Sequence, residues 1–142
     1  MSEHAGIWAT PGEHVFDYPL PAHAAATATE EHVIFKVPAG ATDGLKLDGV
    51  DLHFSAAVTG QATNYTNVNL KNRGAAGDGT TELANIDFAS GQNASAYVAT
   101  TFYAPTTPLS LVAGAILTIE VEKVSSGLAL PNFTARVRVR SK

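Results

Sequence analysis

The chain has 142 residues, no cysteine and a net charge of −4, with 45% apolar and 15% charged residues. This length is expected to give one domain with its own core, and the composition excludes a disordered chain and a coiled coil. The lack of cysteine excludes disulfides and thiolate metal sites. No signal peptide or membrane-spanning run is recognisable, so we expect a protein that is made in the cytoplasm and has no membrane partner.

The first 29 residues show no sustained apolar period and contain three prolines, so we predict an extended N-terminal arm over residues 1–29. No Lys or Arg precedes Lys36, and this acidic stretch disfavours a nucleic-acid partner. The arm still carries large apolar side chains, which gain free energy when buried. We predict that these residues contact a partner: Ile7, Trp8, Val15, Phe16 and Tyr18. Alternatively, residues 15–18 form a first strand of the chain's own domain.

From His32 onward, apolar and polar residues alternate with the period of half-buried strands. In the first predicted strand Val33, Phe35 and Val37 share one parity, and in the second the parity changes at Gly49, which predicts a β-bulge or bend. Seven or eight such strands and no helix predict an all-β fold over residues 30–142. We expect an antiparallel β-sandwich of jelly-roll or immunoglobulin-like type.

The last two predicted strands are the clearest, and we predict that they form an antiparallel hairpin. Ile119 would then lie opposite Val137, and Glu120 would lie opposite Arg136. The alternating cations of the last strand would form a charge ladder with Glu120 and Glu122 rather than bind an anionic partner. Arg140, near the end of the ladder, would stay free to contact a partner.

The sequence contains no convincing catalytic or metal-binding set. No serine lies in a sharp nucleophile turn with a nearby histidine, and the Gly-rich segment 72–81 lacks the Lys and Ser/Thr of a phosphate loop. The five histidines show no ligand spacing, and Asp43, Asp48 and Asp51 are interpreted as turn residues. We therefore predict that the protein is not an enzyme and needs no cofactor or metal. A cupin-like metalloenzyme is the alternative that bound metal would reveal.

Several segments resemble the small β-sandwich proteins of tailed bacteriophages, most of all their capsid decoration, or cement, proteins. The resemblance covers about the last hundred residues and lies in turn and strand phrases: FKVPAG at 35–40, AVTG at 57–60, NYTNVNLKNRG at 64–74 and GLALP at 127–131. It implies a structural virion protein, made in the host cytoplasm, that binds the outside of the capsid. The expected partners are the major capsid protein and further copies of the chain, in a homotrimer that stabilises the shell.

A second hypothesis is a carbohydrate- or receptor-binding module of a head or tail fibre. Its binding platform would consist of Tyr65, Tyr97, Tyr103 and the 72–81 loop.

Overall fold

A computed structural model describes residues 12–142, which form eleven β-strands and no helix. The strands are β1 (Glu13–Leu20), β2 (Glu30–Lys36), β3 (Leu45–Phe54), β4 (Val58–Thr59), β5 (Tyr65–Gly74), β6 (Thr81–Asp87), β7 (Asn93–Ala94), β8 (Ala99–Tyr103), β9 (Leu109–Leu111), β10 (Ile116–Val124) and β11 (Phe133–Ser141).

Two antiparallel sheets contain the longer strands. The first has the order β1-β11-β3-β8, with β9 also paired to β3, and the second has the order β2-β10-β5-β6. A short separate ladder joins β4 to β7. The predicted all-β class is confirmed, and the two sheets face each other as a β-sandwich. β5 and β6 pair around the Gly-rich segment, which therefore forms a hairpin loop.

The core lies between the sheets and is built from alternate residues of each long strand. In β11 the inward side chains are at most 2% exposed: Phe133, Ala135, Val137 and Val139. At the centre, the Phe54 ring lies edge-on to Phe88 with centroids 5.5 Å apart and stacks on Phe133 at 4.9 Å. Apolar periodicity therefore identified the buried face of β11 correctly.

The change of parity predicted in β3 is confirmed as a bulge. Arg138 pairs with Gly49 and Val139 pairs with Leu47, so Asp48 is the extra residue. The bulge lets Leu45 and Leu47 before it, and Val50, Leu52 and Phe54 after it, all point into the core. It also places the Asp48 carboxylate against β11.

The parity predicted for β2 is wrong for Val33. Leu117 pairs with Phe35, but Thr118 pairs with Val33, so Ile34 is an extra residue in a second bulge. Ile34 is 5% exposed whereas Val33 is 52% exposed. A bulge reverses the face of every residue beyond it, and no glycine marks this one in the sequence.

The predicted hairpin between the last two strands is also wrong. β10 pairs with β2 and β5, whereas β11 pairs with β1 and β3, so the two strands belong to opposite sheets. Ile119 lies opposite His32 and Leu70, and Val137 lies opposite Phe16 and Val50. The connection between β10 and β11 crosses from one sheet to the other instead of turning within one sheet.

This crossing is held in place by the segment that follows β1. His23 and Leu130 exchange two backbone hydrogen bonds of 2.9 and 2.8 Å. Gly127 sits here with φ +74°, and a Cβ atom at this position would lie 2.0 Å from the carbonyl oxygen of Ala25. The crossing therefore needs glycine both for its backbone conformation and for the close approach of another chain segment.

We predict that Gly127→Ala destabilises the fold more than Gly91→Ala does. Both glycines have positive φ, but no atom lies within 4 Å of the site of a Cβ on Gly91. Gly91→Ala should lower the free energy of unfolding by about 1–2 kcal/mol because of its backbone conformation. Steric overlap should add roughly 1–3 kcal/mol in Gly127→Ala. Urea denaturation measures both values, and equal losses would contradict the close packing of this crossing.

Candidate partner-binding surface

Strand β1 is an edge strand of the first sheet. Its eight residues pair with β11 from Glu13 opposite Arg140 to Leu20 opposite Phe133. Within residues 12–142, no strand pairs with its other edge. The position of β1 agrees with the alternative prediction, in which residues 15–18 form a first strand of the domain. Open edges of this kind present backbone donors and acceptors to a further strand.

The residues predicted to contact a partner fall into three groups. Val15 lies on the outer face and is 49% exposed, and Tyr18 is 38% exposed. Phe16 is half-buried against the core, with its ring centroid 5.6 Å from that of Phe35 on β2. Ile7 and Trp8 lie outside the described residues. The apolar groups that β1 presents to solvent are therefore those of Val15 and Tyr18.

The prediction that Arg140 stays free is wrong. Its Nε donates to both carboxylate oxygens of Asp48, at 2.8 and 2.9 Å, and this hydrogen bond raises the pKa of Arg140. Asp48 is the bulged residue of β3, and only 6% of its side chain is exposed. The bulge thus gives Arg140 a partner that strand periodicity alone did not indicate.

The other two arginines of β11 are also paired, so a charge ladder exists but with other acids than predicted. Arg136 donates to Asp17 of β1 at 2.8 and 3.0 Å. Arg138 forms ion pairs with Asp51 of β3 at 3.4 Å and with Glu13 of β1 at 3.9 Å. The ladder spans β1, β11 and β3. Its arginines are neutralised within the chain and offer little to an anionic partner.

At the end of the ladder, the carboxyl groups of Glu13 and Asp48 interact with each other. A hydrogen bond with Asp48 raises the pKa of Glu13, and desolvation raises it further. Burial acts to raise the pKa of Asp48 as well, but hydrogen bonds from Arg140 and Glu13 outweigh it and lower that pKa. As the pH falls, Glu13 is therefore the first of the two to take up a proton.

The glutamates once expected to face the arginines lie on the outer face of the second sheet. Glu120 accepts hydrogen bonds from Lys71 at 2.9 Å and from Asn69 at 3.1 Å. On the same face Glu31 is bound by Arg73, and this hydrogen bond lowers the pKa of Glu31. These charged groups of the outer face are therefore bonded to side chains of the same sheet.

The structure does not bring the predicted aromatic platform together. Tyr65 begins β5, and the 72–81 segment starts seven residues further along this strand, about 23 Å away. Tyr103 lies in β8 and is half-buried, and desolvation raises its pKa. Tyr97, in contrast to Tyr103, is 79% exposed. The features proposed as one platform are thus distributed over separate parts of the surface.

Residues 12–142 contain no group of three or more His, Asp or Glu side chains arranged to hold a metal ion. Asp48 and Asp51, two of the three aspartates interpreted as turn residues, are engaged by Arg140 and Arg138. His23 and His32 approach the Glu30 carboxylate, at 3.7 and 3.4 Å. Within the same residues, no helix is long and apolar enough to cross a membrane.

A scan against protein-family models found no matching family, and searches of curated proteins and of solved structures found no match either.

We predict that Asp17→Asn weakens the attachment of β1 and reduces the acid sensitivity of the protein. The hydrogen bond from Arg136 lowers the pKa of Asp17 below its ordinary value of 3.8. Its stabilising contribution is therefore complete above about pH 4 and is lost as the pH falls through the lowered pKa. Both side chains are nearly half exposed, so the loss at pH 7 should be only about 0.2–1 kcal/mol.

Urea denaturation at pH 7 and pH 3 measures this effect. The difference between the variant and the wild type should be present at pH 7 and should shrink at pH 3. Asp78→Asn, in the exposed loop before β6, makes the same charge change and should alter stability at neither pH. A loss of equal size at both pH values would show that the ion pair is not its source.

Proposed function

We propose that the protein is a structural virion protein that binds the outer surface of a bacteriophage capsid and stabilises it. In this proposal it acts as a homotrimer on the capsid surface after synthesis in the host cytoplasm. Its partners are the major capsid protein and its own copies. The open edge of β1, with the exposed Val15 and Tyr18, is the observation that carries the proposal.

The strand order supports a sandwich of jelly-roll type. Counting only the strands of five or more residues, in chain order, the sheets have the orders 1-8-3-6 and 2-7-4-5. Strand 1 thus pairs with 8, 2 with 7, 3 with 6, and 4 with 5. A long antiparallel hairpin rolled into two sheets gives these pairings, and viral capsid proteins are among the proteins that use them. Immunoglobulin-like sandwiches have a different strand order.

The distribution of contacts supports attachment through β1. The ion pairs of the β11 ladder join β1 to the rest of the sheet, so the strand is already positioned before a partner arrives. Its open edge can then receive a strand from the shell or from a neighbouring copy. In the sequence, the apolar residues Ile7 and Trp8 precede β1. We propose that residues 1–11 extend the contact as an arm.

Weak contacts are sufficient for such a protein. A capsid presents many equivalent sites, and a trimer that engages several of them at once gains from a high effective concentration. An apolar strand edge of modest area therefore supports high occupancy, and no buried charge is required. The internal pairing of the β11 arginines fits this requirement because it leaves β1 to bind by backbone and apolar contacts.

We predict that Val15→Lys and deletion of residues 1–11 each weaken binding to undecorated capsids at least tenfold. Lysine on an edge strand opposes the addition of a further strand. Val112→Lys is the matched control, since Val112 is 63% exposed but lies outside β1. The measurement is co-sedimentation of each purified variant with capsids of the phage that encodes the chain, with thermal denaturation as a check on folding.

Wild-type protein that remains in the supernatant, or a control variant that binds as weakly as Val15→Lys, would contradict the proposal. Native mass spectrometry should give the mass of a trimer. Immunogold labelling of intact particles distinguishes the capsid surface from a fibre. Gold confined to fibres would favour the carbohydrate- or receptor-binding module instead.

A further inference from the structure

A small cleft opens at the end of the first sheet where β3 ends and β11 begins. Its volume is about 210 Å³, below the range of roughly 300–1,000 Å³ that is usual for drug-sized ligands. Two buried aromatic side chains, Phe54 and Phe133, contribute to its wall. The remaining lining residues are polar or amphipathic: His53, Ser55, Tyr97, Asn132 and Thr134. The cleft thus combines an apolar wall with several hydrogen-bonding groups.

Tyr97 is held beside this cleft in an unusual conformation. Its φ angle is +59°, in the left-handed region that a bulky residue rarely adopts. Its backbone N–H donates to the carbonyl oxygen of Phe54 at 2.8 Å, which fixes the residue against the end of β3. The side chain is nevertheless 79% exposed, so burial of the ring does not explain the strained backbone. Strain that packing does not explain is often found at binding sites.

The polar groups of the cleft are partly fixed and partly unsatisfied. Ser55 Oγ donates to Asn132 Oδ1 at 2.7 Å, and the Ser55 N–H donates to the Asn132 carbonyl oxygen at 3.0 Å. This pairing orients the amide of Asn132, an exposed residue whose Nδ2 can donate to a ligand in the cleft. The Nε2 atom of His53 is shielded from solvent and lacks a partner in the described part of the chain. A shielded polar atom without a partner is costly, so a small rotation of the His53 ring that brings Nε2 to a ligand hydroxyl in the cleft would be favourable.

The charge of the cleft indicates the class of ligand. None of its lining residues is Lys, Arg, Asp or Glu, so it offers no permanently charged partner to a phosphate, a carboxylate or an amine. An exposed aromatic ring beside hydrogen-bonding side chains suits a ligand with an apolar face and polar edges. A sugar ring has this character, because its C–H groups cover one face and its hydroxyls lie around the rim.

We propose that this cleft binds one ring of a neutral saccharide, which stacks on Tyr97 while its hydroxyls bond to Asn132 and His53. The ring is either a free sugar or the terminal unit of a glycan. Binding here does not depend on attachment to a capsid, and each proposal can fail without the other.

An NMR titration of the ¹⁵N-labelled protein tests the proposal. D-glucose, D-galactose, D-mannose and N-acetyl-D-glucosamine are added separately. At least one should give saturable shifts confined to residues 53–55, 97–98 and 132–134. Tyr97→Ala should weaken that binding about tenfold, the value expected from loss of one aromatic stacking contact. Tyr97→Phe should keep it, and Val98→Ala, which alters the exposed neighbour outside the cleft, should leave it unchanged.

Tyr97→Gly separates loss of binding from loss of folding. Glycine accepts positive φ without strain, so this variant should be at least as stable as Tyr97→Ala and still bind more weakly than the wild type. Shifts that do not saturate with any of the four sugars would overturn the proposal. So would shifts at other residues, wild-type affinity in Tyr97→Ala, or tighter binding of cytidine, which would indicate a nucleobase site.

Discussion

The pairing of β11 with a strand on each side is the interaction on which the rest of the structure depends. Its inward side chains fill the core, and its outward arginines bond to acids on both neighbours, Asp17 on β1 and Asp48 on β3. The bulge in β3 is needed for both functions, because it corrects the inward parity of β3 and turns Asp48 toward Arg140. β11 thus anchors β1 to the sheet, and its arginines join the acids of β1 and β3 into one charge ladder.

This arrangement determines which surfaces are available to a partner. The outer face of the first sheet carries many charges, but its arginines are bound by carboxylates of the same chain, and such exposed pairs contribute little to binding or stability. The polar face of the second sheet is likewise bonded to itself through Glu120 and Glu31. What remains are the sheet edges and the ends of the sandwich. The edge at β1 and the cleft at Tyr97 are places of this kind where apolar groups and backbone geometry suggest a ligand.

The sequence predicted the strands well because burial on one side leaves a period of two, and β11 and β3 follow it closely. It did not predict which strands pair. The alternation of apolar and polar residues in β10 is compatible with any neighbouring strand. Acids suitable for Arg136 occur on β1 and β3 as well as on β10, so charge complementarity favoured the wrong hairpin. The bulge at Ile34 also left no trace, since both Val33 and Ile34 are apolar. The bulge at Gly49 was visible because the apolar pattern changes parity there.

The candidate sites, likewise, could be predicted from the sequence only in part. Val15 and Tyr18 could be recognised as apolar residues in an acidic segment, but their placement on an edge strand depends on the distant β11. The Tyr97 cleft combines residues from positions 53–55, 97 and 132–134, and nothing in their local sequence links them. Its one local signal, a tyrosine with positive φ, is a property of the fold and cannot be read from residue type.

Hydrogen–deuterium exchange of the protein, free and bound to capsids, tests the central claim most directly. If the open edge of β1 receives the partner, exchange across residues 13–20 should slow on binding, while residues 81–87 of β6, an edge strand of the other sheet, should exchange as in the free protein. Unchanged exchange in β1 together with new protection at β6 would show that the chain attaches by a different edge, and would contradict the account.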